Sequence, residues 1–150
     1  MKTGTSALVL MLTIATFGCA TQYRSIDDGI SGGFTETRLA PDQWRVLVAA
    51  NSFTTREEAQ QFLMRRAAEL SLEQGKRYFE LDDHHAWINV SLTPSGPVRT
   101  PADAAIVTAV DHPTRRTFDT VQIVAETEAA AGGKLSKAAR ETLRQFAPAS

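Results

Sequence analysis

Apolar and polar residues alternate most clearly between residues 34 and 51. Side chains of a β-strand point to opposite faces in turn, so this pattern predicts strands at 34–39 and 44–51. Proline at position 41 suits the second place of a tight turn between them. One face of the second strand carries Trp44, Val46, Val48 and Ala50. The pattern therefore predicts a β-hairpin with one buried face.

Apolar residues then recur at intervals of three and four, which is typical of a helix with one buried face. These positions are Ala59, Phe62, Leu63, Ala67 and Leu70. Thr54 and Glu57 have the spacing of a capping box at the helix start, and Gly75 suits the residue that closes it, so the helix should end near residue 74. Arg65 and Glu69 lie four residues apart and are expected to form an exposed pair.

Two shorter alternating segments follow the helix. Residues 78–81 and 87–92 are predicted to form a second hairpin, and the polar residues 82–85 between them are predicted to be its turn. In the second of these strands one face carries Ile88, Val90 and Leu92.

The last third of the chain mixes prolines with apolar residues. Residues 93–116 contain four prolines and are interpreted as a loop, with room for one short strand. Residues 118–127 alternate again and predict another strand. Ser136 can cap a short helix that Pro148 would stop. This order predicts one α+β domain over residues 34–148, with a mostly antiparallel sheet covered by the long helix and the short C-terminal helix.

The first residues have the three-part order of a secretory signal: a cationic start, an apolar run and small residues. The apolar run at 7–17 has 11 residues, too few to cross a membrane as a helix. We therefore expect a removed signal peptide at 1–18. The polar and glycine-rich residues 19–33 are expected to be a flexible tether.

Cys19 is the single cysteine and directly follows the apolar run. Gly18 and Cys19 resemble the lipobox of bacterial lipoproteins, although Thr16 and Phe17 depart from the usual lipobox residues. The resemblance implies cleavage before Cys19 and acylation of that cysteine. With Ala20 next, it also implies transfer to the inner leaflet of the outer membrane, facing the periplasm. Ordinary cleavage after Ala20 is one alternative, and an unmodified Cys19 of no consequence is another. A retained, unmodified Cys19 would be a lone thiol without a disulfide partner in an oxidising compartment.

The middle of the chain is similar to a family of small, functionally uncharacterised lipoproteins of Gram-negative bacteria. The similarity covers about a third of the chain and is carried by Gly32-Gly33-Phe34-Thr35-Glu36-Thr37-Arg38-Leu39, Asn51-Ser52-Phe53-Thr54-Thr55-Arg56, Arg66-Ala67-Ala68-Glu69-Leu70, Gly75 and Tyr78-Phe79. It implies a lipid-anchored protein of one domain that faces the periplasm, and it implies no substrate.

Charge excludes one class of partner. After removal of residues 1–18 the chain keeps 132 residues, with 15 basic and 17 acidic side chains. This length suits one domain with a core, and the balance of charge gives no basic surface for nucleic acid.

Several polar residues in the first half of the chain are candidates for binding a ligand or partner. Glu36, Arg45, Asn51, Arg56 and Arg66 could cluster near one face of the sheet, where guanidinium groups would bind the carboxylate of a sugar or peptide. The alternative is that they pack and form surface ion pairs, with Arg66 reaching a carboxylate.

Histidines and carboxylates suggest a metal site only weakly. Imidazole and carboxylate are ligands that zinc and copper accept, and His84 and His85 follow Asp82 and Asp83, with His112 further along. In an extended strand, however, neighbouring residues point to opposite faces. We therefore expect a polar turn, no metal and no cofactor.

No nucleophile motif, phosphate-binding loop or metalloprotease motif occurs in the sequence. We expect a protein that is not an enzyme. Two hypotheses remain: an accessory lipoprotein that interacts with an envelope protein, and a lipoprotein that binds a small ligand or a metal.

Overall fold

The structure, a computed structural model, describes residues 20–28, 31–132 and 134–147. Cys19 and the predicted signal peptide lie outside them. The elements are a short 3-10 helix at Ile26–Asp28, β1 Gly32–Ala40, β2 Gln43–Ala50, α1 Arg56–Glu73, β3 Tyr78–Thr93, β4 Gly96–Val110, β5 Phe118–Asp119, α2 Thr120–Glu126, α3 Glu128–Ala131 and α4 Lys137–Phe146. This confirms the α+β prediction.

The strands form one antiparallel sheet in the order β1-β2-β4-β3-β5. α1 packs on one face of this sheet, and the C-terminal helices pack on α1. The core lies between α1 and the sheet, where Val46, Val48, Leu63, Phe79 and Val107 are fully buried. No helix of the described residues is both long and apolar enough to cross a membrane.

The first predicted hairpin is confirmed. β1 and β2 pair through a turn at Pro41, and Gly32 lies opposite Ala50 at the far end. The predicted apolar face of β2 is buried, because it faces α1.

The long helix is also confirmed, with its predicted apolar positions buried. Its capping box lies one residue later than predicted: Thr55 caps the helix and pairs with Glu58. Thr54 is not the cap because its hydroxyl accepts a hydrogen bond from the amide of Thr21 at 2.9 Å. Gly75 follows the helix with φ of 74°, a left-handed conformation that glycine adopts without strain.

The prediction of a second hairpin is wrong. Residues 78–93 form one strand, β3, and residues 82–85 are not a turn. A bulge lies there instead: the register to β4 shifts between Asp82 and His85, and Asp83 has φ of 50°. The true partner of β3 is β4, inside the segment that we predicted to be a loop. Pro97 and Pro101 fit because residues 96–101 have no strand partner on the outer side within the described chain.

The predicted strand at 118–127 is mostly a helix. Only Phe118 and Asp119 pair with β3, and the Asp119 side chain then accepts a hydrogen bond from the amide of Val121 to begin α2. The last helix is confirmed, with Ser136 as its cap.

The described part of the predicted tether belongs to the folded domain. Tyr23 is only 6% exposed and packs against Phe34 and Phe62. The amide of Phe34 donates to the carbonyl of Arg24 at 2.9 Å, and a Cβ on Gly33 would lie 2.3 Å from the same carbonyl oxygen. The absence of a side chain at Gly33 therefore allows the N-terminal segment to lie directly on β1.

Candidate functional site

A network of buried charge joins the N-terminal segment, β1 and α1. The hydroxyl of Tyr23 donates to Glu69 Oε2 at 2.5 Å, and Arg66 Nη1 donates to the same oxygen at 3.0 Å. Arg66 Nη2 also donates to Glu36 Oε1 at 2.7 Å, and its guanidinium lies 5.0 Å from the ring centre of Phe34. These contacts occupy the polar atoms that a ligand would need, so the network stabilises the fold.

Arg65 extends this network toward the C-terminal helices. Its side chain is 0% exposed and lies beside Glu69, whereas the sequence predicted an exposed pair. Its guanidinium donates to the carbonyls of Val124 and Lys134, each at 2.9 Å, and to Glu128 at 3.1 Å. The exposed-pair prediction is wrong because the C-terminal helices cover this flank of α1.

Burial changes the pKa of the groups in this network. Loss of solvent raises the pKa of the Glu69 carboxyl above its ordinary value, although hydrogen bonds from Tyr23 and Arg66 partly oppose the rise. Burial and the charge of Glu69 raise the pKa of Tyr23 well above its usual value, so the phenol remains a donor. Burial lowers the pKa of Arg66, but the hydrogen bonds and charge of Glu36 outweigh burial and the net pKa is raised.

The five candidate binding residues do not form one cluster. Glu36 and Arg66 pair on the face of the sheet that α1 covers. Arg45 lies on the opposite face, with its nearest carboxylate, Asp83, at 4.0 Å. Asn51 accepts hydrogen bonds from the turn before α1, and Arg56 is exposed at the start of that helix.

The three histidines do not converge on one site. His84 Nε2 is 2.7 Å from Oδ1 of the buried Asp103, and His85 Nε2 is 2.7 Å from Asp83 Oδ1. His112 is exposed in the loop after β4. Within the part of the chain that the structure describes, no three histidine, cysteine or acidic side chains are placed to hold a metal.

The far end of the β3–β4 hairpin extends past the body of the domain. We call residues 87–100 the arm. At the base of the arm, Thr100 lines a pocket with Ile26 and Asn51, and Ala86 and Pro101 share a small pocket with Arg56 at the start of α1. Seven residues of β3 lie beyond this point, roughly 24 Å of strand. Two apolar side chains of the arm are largely in solvent: Val90 is 57% exposed and Leu92 is 87% exposed.

The two edges of the arm differ. On the β4 edge stand Pro97, Arg99 and Pro101, and both proline and charge discourage pairing with a further strand. The β3 edge from residue 86 to 93 has neither charge nor proline. Beyond Phe79, no strand of the described residues pairs with this side of β3. The β3 edge is therefore open for a strand from another molecule.

Comparison of this chain with family models, with curated proteins and with solved structures found no match.

Sequence reasoning missed Asp103 and the arm for different reasons. Asp103 lies in an alanine-rich segment and becomes notable only because the bulge brings His84 onto it. The arm was not predicted because residues 82–85 were interpreted as a turn, which divides β3 into two short strands. The uncharged run at 86–93 was the signal that could have identified a long strand with an open edge.

Proposed function

We propose that this chain is a bacterial envelope lipoprotein with a non-enzymatic interaction role. In this proposal an acylated Cys19 holds it at the inner leaflet of the outer membrane, and the domain faces the periplasm. The order of a signal segment, Gly18 and Cys19 supports the anchor. Tyr23 is buried only four residues later, so the domain would lie close to the membrane surface.

The open β3 edge of the arm is the observation that carries the interaction role. A two-stranded hairpin is only marginally stable in water, and an uncharged edge strand favours pairing with another chain. The other edge is blocked by proline and arginine, so the arm offers one side for pairing. We infer that an extended segment of an envelope protein adds a strand to β3, with backbone hydrogen bonds supplying affinity and Val90 and Leu92 supplying apolar contact.

Charging the arm is expected to release the partner. The variant Val90→Lys/Leu92→Lys changes two exposed side chains, so the fold should persist, while lysine on an edge strand opposes pairing. We expect a stoichiometric protein to purify with the wild type from detergent-solubilised membranes and to be lost with this variant. The matched control, Ala129→Lys/Ala138→Lys, places the same charges on exposed helix positions. Retention of the partner by the arm variant, or its loss from the control alone, would contradict the claim that the arm binds this partner.

Removal of the proposed acylation site is expected to free the protein from the membrane. Cys19→Ser takes away the thiol that would carry the lipid, so the variant should leave the membrane fraction and lose labelling by a fatty-acid probe. Intact mass spectrometry of the wild type checks the same point. A wild-type chain that begins at Thr21, or that carries no acyl mass, would show the anchor assignment to be wrong.

A further inference from the structure

A cleft of about 620 Å³ lies between α1, α2 and the base of β3. Its apolar wall includes Met64, Leu81, Phe118 and Ile123. Phe118 is 37% exposed although it stacks on Phe79, with ring centres 5.3 Å apart. A site of this size, with an apolar wall and a few polar groups, has the general form of a small-molecule site.

The carboxylates that line the cleft give its charged side chains one sign, beside several neutral polar residues. Glu57 and Glu126 line it from α1 and α2, and neither is in an ion pair within the described residues. Glu126 Oε1 accepts a hydrogen bond from Gln122 Nε2 at 2.7 Å, and its other oxygen is left for a ligand. Asp119 also lines it and is bound by Arg77 at 2.9 Å. No described lysine or arginine lines the cleft; Arg56 lines only the neighbouring smaller pocket. The cleft therefore favours positive charge.

A buried carboxylate lines the smaller pocket next to the cleft. Asp103 lines the smaller pocket, which shares Glu57, Gln60 and His84 with the cleft. Its side chain is 2% exposed, and its Oδ2 has no hydrogen-bond partner among the described residues. An unpaired buried carboxylate oxygen is costly, so its position next to a cavity indicates that a donor belongs there. Burial also raises the pKa of Asp103, against the opposing charge and hydrogen bond of His84.

His84 connects this carboxylate with the cleft. Its Nε2 faces Asp103 Oδ1 at 2.7 Å, and the imidazole side chain is 39% exposed. When Nε2 carries the proton and donates to Asp103, the other ring nitrogen is an acceptor. His84 lines the cleft together with Glu57 and Glu126, beside an apolar wall.

We propose that the cleft binds a small organic cation, an amine or amidine carried on an apolar body. The cation lies between Glu57 and Glu126 and donates to them and to His84. The apolar body packs on Phe118 and the neighbouring aliphatic side chains. This site is separate from the arm, so binding here is independent of the interaction role proposed above.

Three ligands of nearly one shape and different charge test the proposal. Benzamidine is a cation, benzamide is neutral and benzoate is an anion. Each is titrated into the folded domain and followed by the NMR shifts of α1 and α2 amides. We expect benzamidine to shift amides around the cleft and to bind at least about tenfold more tightly than benzamide, because charge-assisted hydrogen bonds are the stronger ones. Benzoate should give no shifts in the cleft.

Variants test whether the two glutamates cause the preference for a cationic ligand. Glu57→Gln/Glu126→Gln keeps the shape of both side chains. It is expected to weaken the binding of benzamidine at least about tenfold and to leave the affinity for benzamide unchanged. Asp27→Asn/Glu141→Gln removes the same charge from exposed positions elsewhere and should leave benzamidine binding intact. Equal binding of benzamidine and benzamide, no shifts in the cleft, or full benzamidine binding by the glutamate variant would each overturn the proposal.

Discussion

Replacing Arg65 with alanine is expected to lower the free energy of unfolding by about 3–5 kcal/mol. The side chain is fully buried and binds the carbonyls of Val124 and Lys134. Its removal would also take away one of the two guanidinium groups that pair with the buried carboxylate of Glu69. Several polar atoms would then lose their partners inside the protein, which costs more than the loss of an exposed pair.

Urea unfolding followed by circular dichroism measures this effect. Arg115→Ala removes the same side chain from an exposed loop position and is expected to stay within about 0.5 kcal/mol of the wild type. A loss at Arg65 no larger than that of the control would mean that water reaches the guanidinium, and that the C-terminal helices do not cover α1.

Replacing Phe62 or Leu63 with alanine is expected to lower the free energy of unfolding by about 2–5 kcal/mol in each case. Phe62 is 3% exposed and Leu63 is 0% exposed, and both belong to the hydrophobic core. Each substitution removes apolar contacts and leaves a cavity that the close-packed sheet cannot fill. Gln60→Ala lies on the exposed side of the same helix and is expected to change stability by no more than about 0.5 kcal/mol. Equal losses at all three positions in urea would contradict the assignment of the buried face.

Elements defined by short-range pattern were predictable from the sequence. In β2, alternation placed Val46 and Val48 on the buried face, and in α1 the spacing of Phe62 and Leu63 did the same. The α+β class followed from the order of these elements. These predictions depend on the period with which side chains change direction along a strand or a helix. That period can be read from a single sequence.

Elements that depend on distant partners were not predictable in the same way. Prolines 97 and 101 argued against a strand, yet β4 accepts them because its outer edge is unpaired there. The bulge at Asp83 joins two segments that pattern alone divided. Asp119 caps a helix where alternation predicted a strand, because local hydrogen bonding and packing against α1 outweighed the pattern.

The sites were less predictable than the fold. Arg65 and Glu69 have the spacing of an ordinary exposed pair, and only packing of the C-terminal helices on α1 buries them. Glu36 and Arg66 were candidates for binding a ligand, and in the structure they bind each other. The cleft joins Glu57 and Glu126, which are 69 positions apart in the sequence, and no short-range pattern relates such residues.

Site-specific photocrosslinking in intact cells tests the proposed interaction most directly. A photoreactive residue is placed at Val90 on the arm and, as a control, at Arg144 on α4; both positions are exposed. The account predicts a discrete protein adduct at Val90 after irradiation and none at Arg144. Absence of an adduct at Val90, or the same adducts at both positions, would contradict the claim that the arm binds a protein of the envelope.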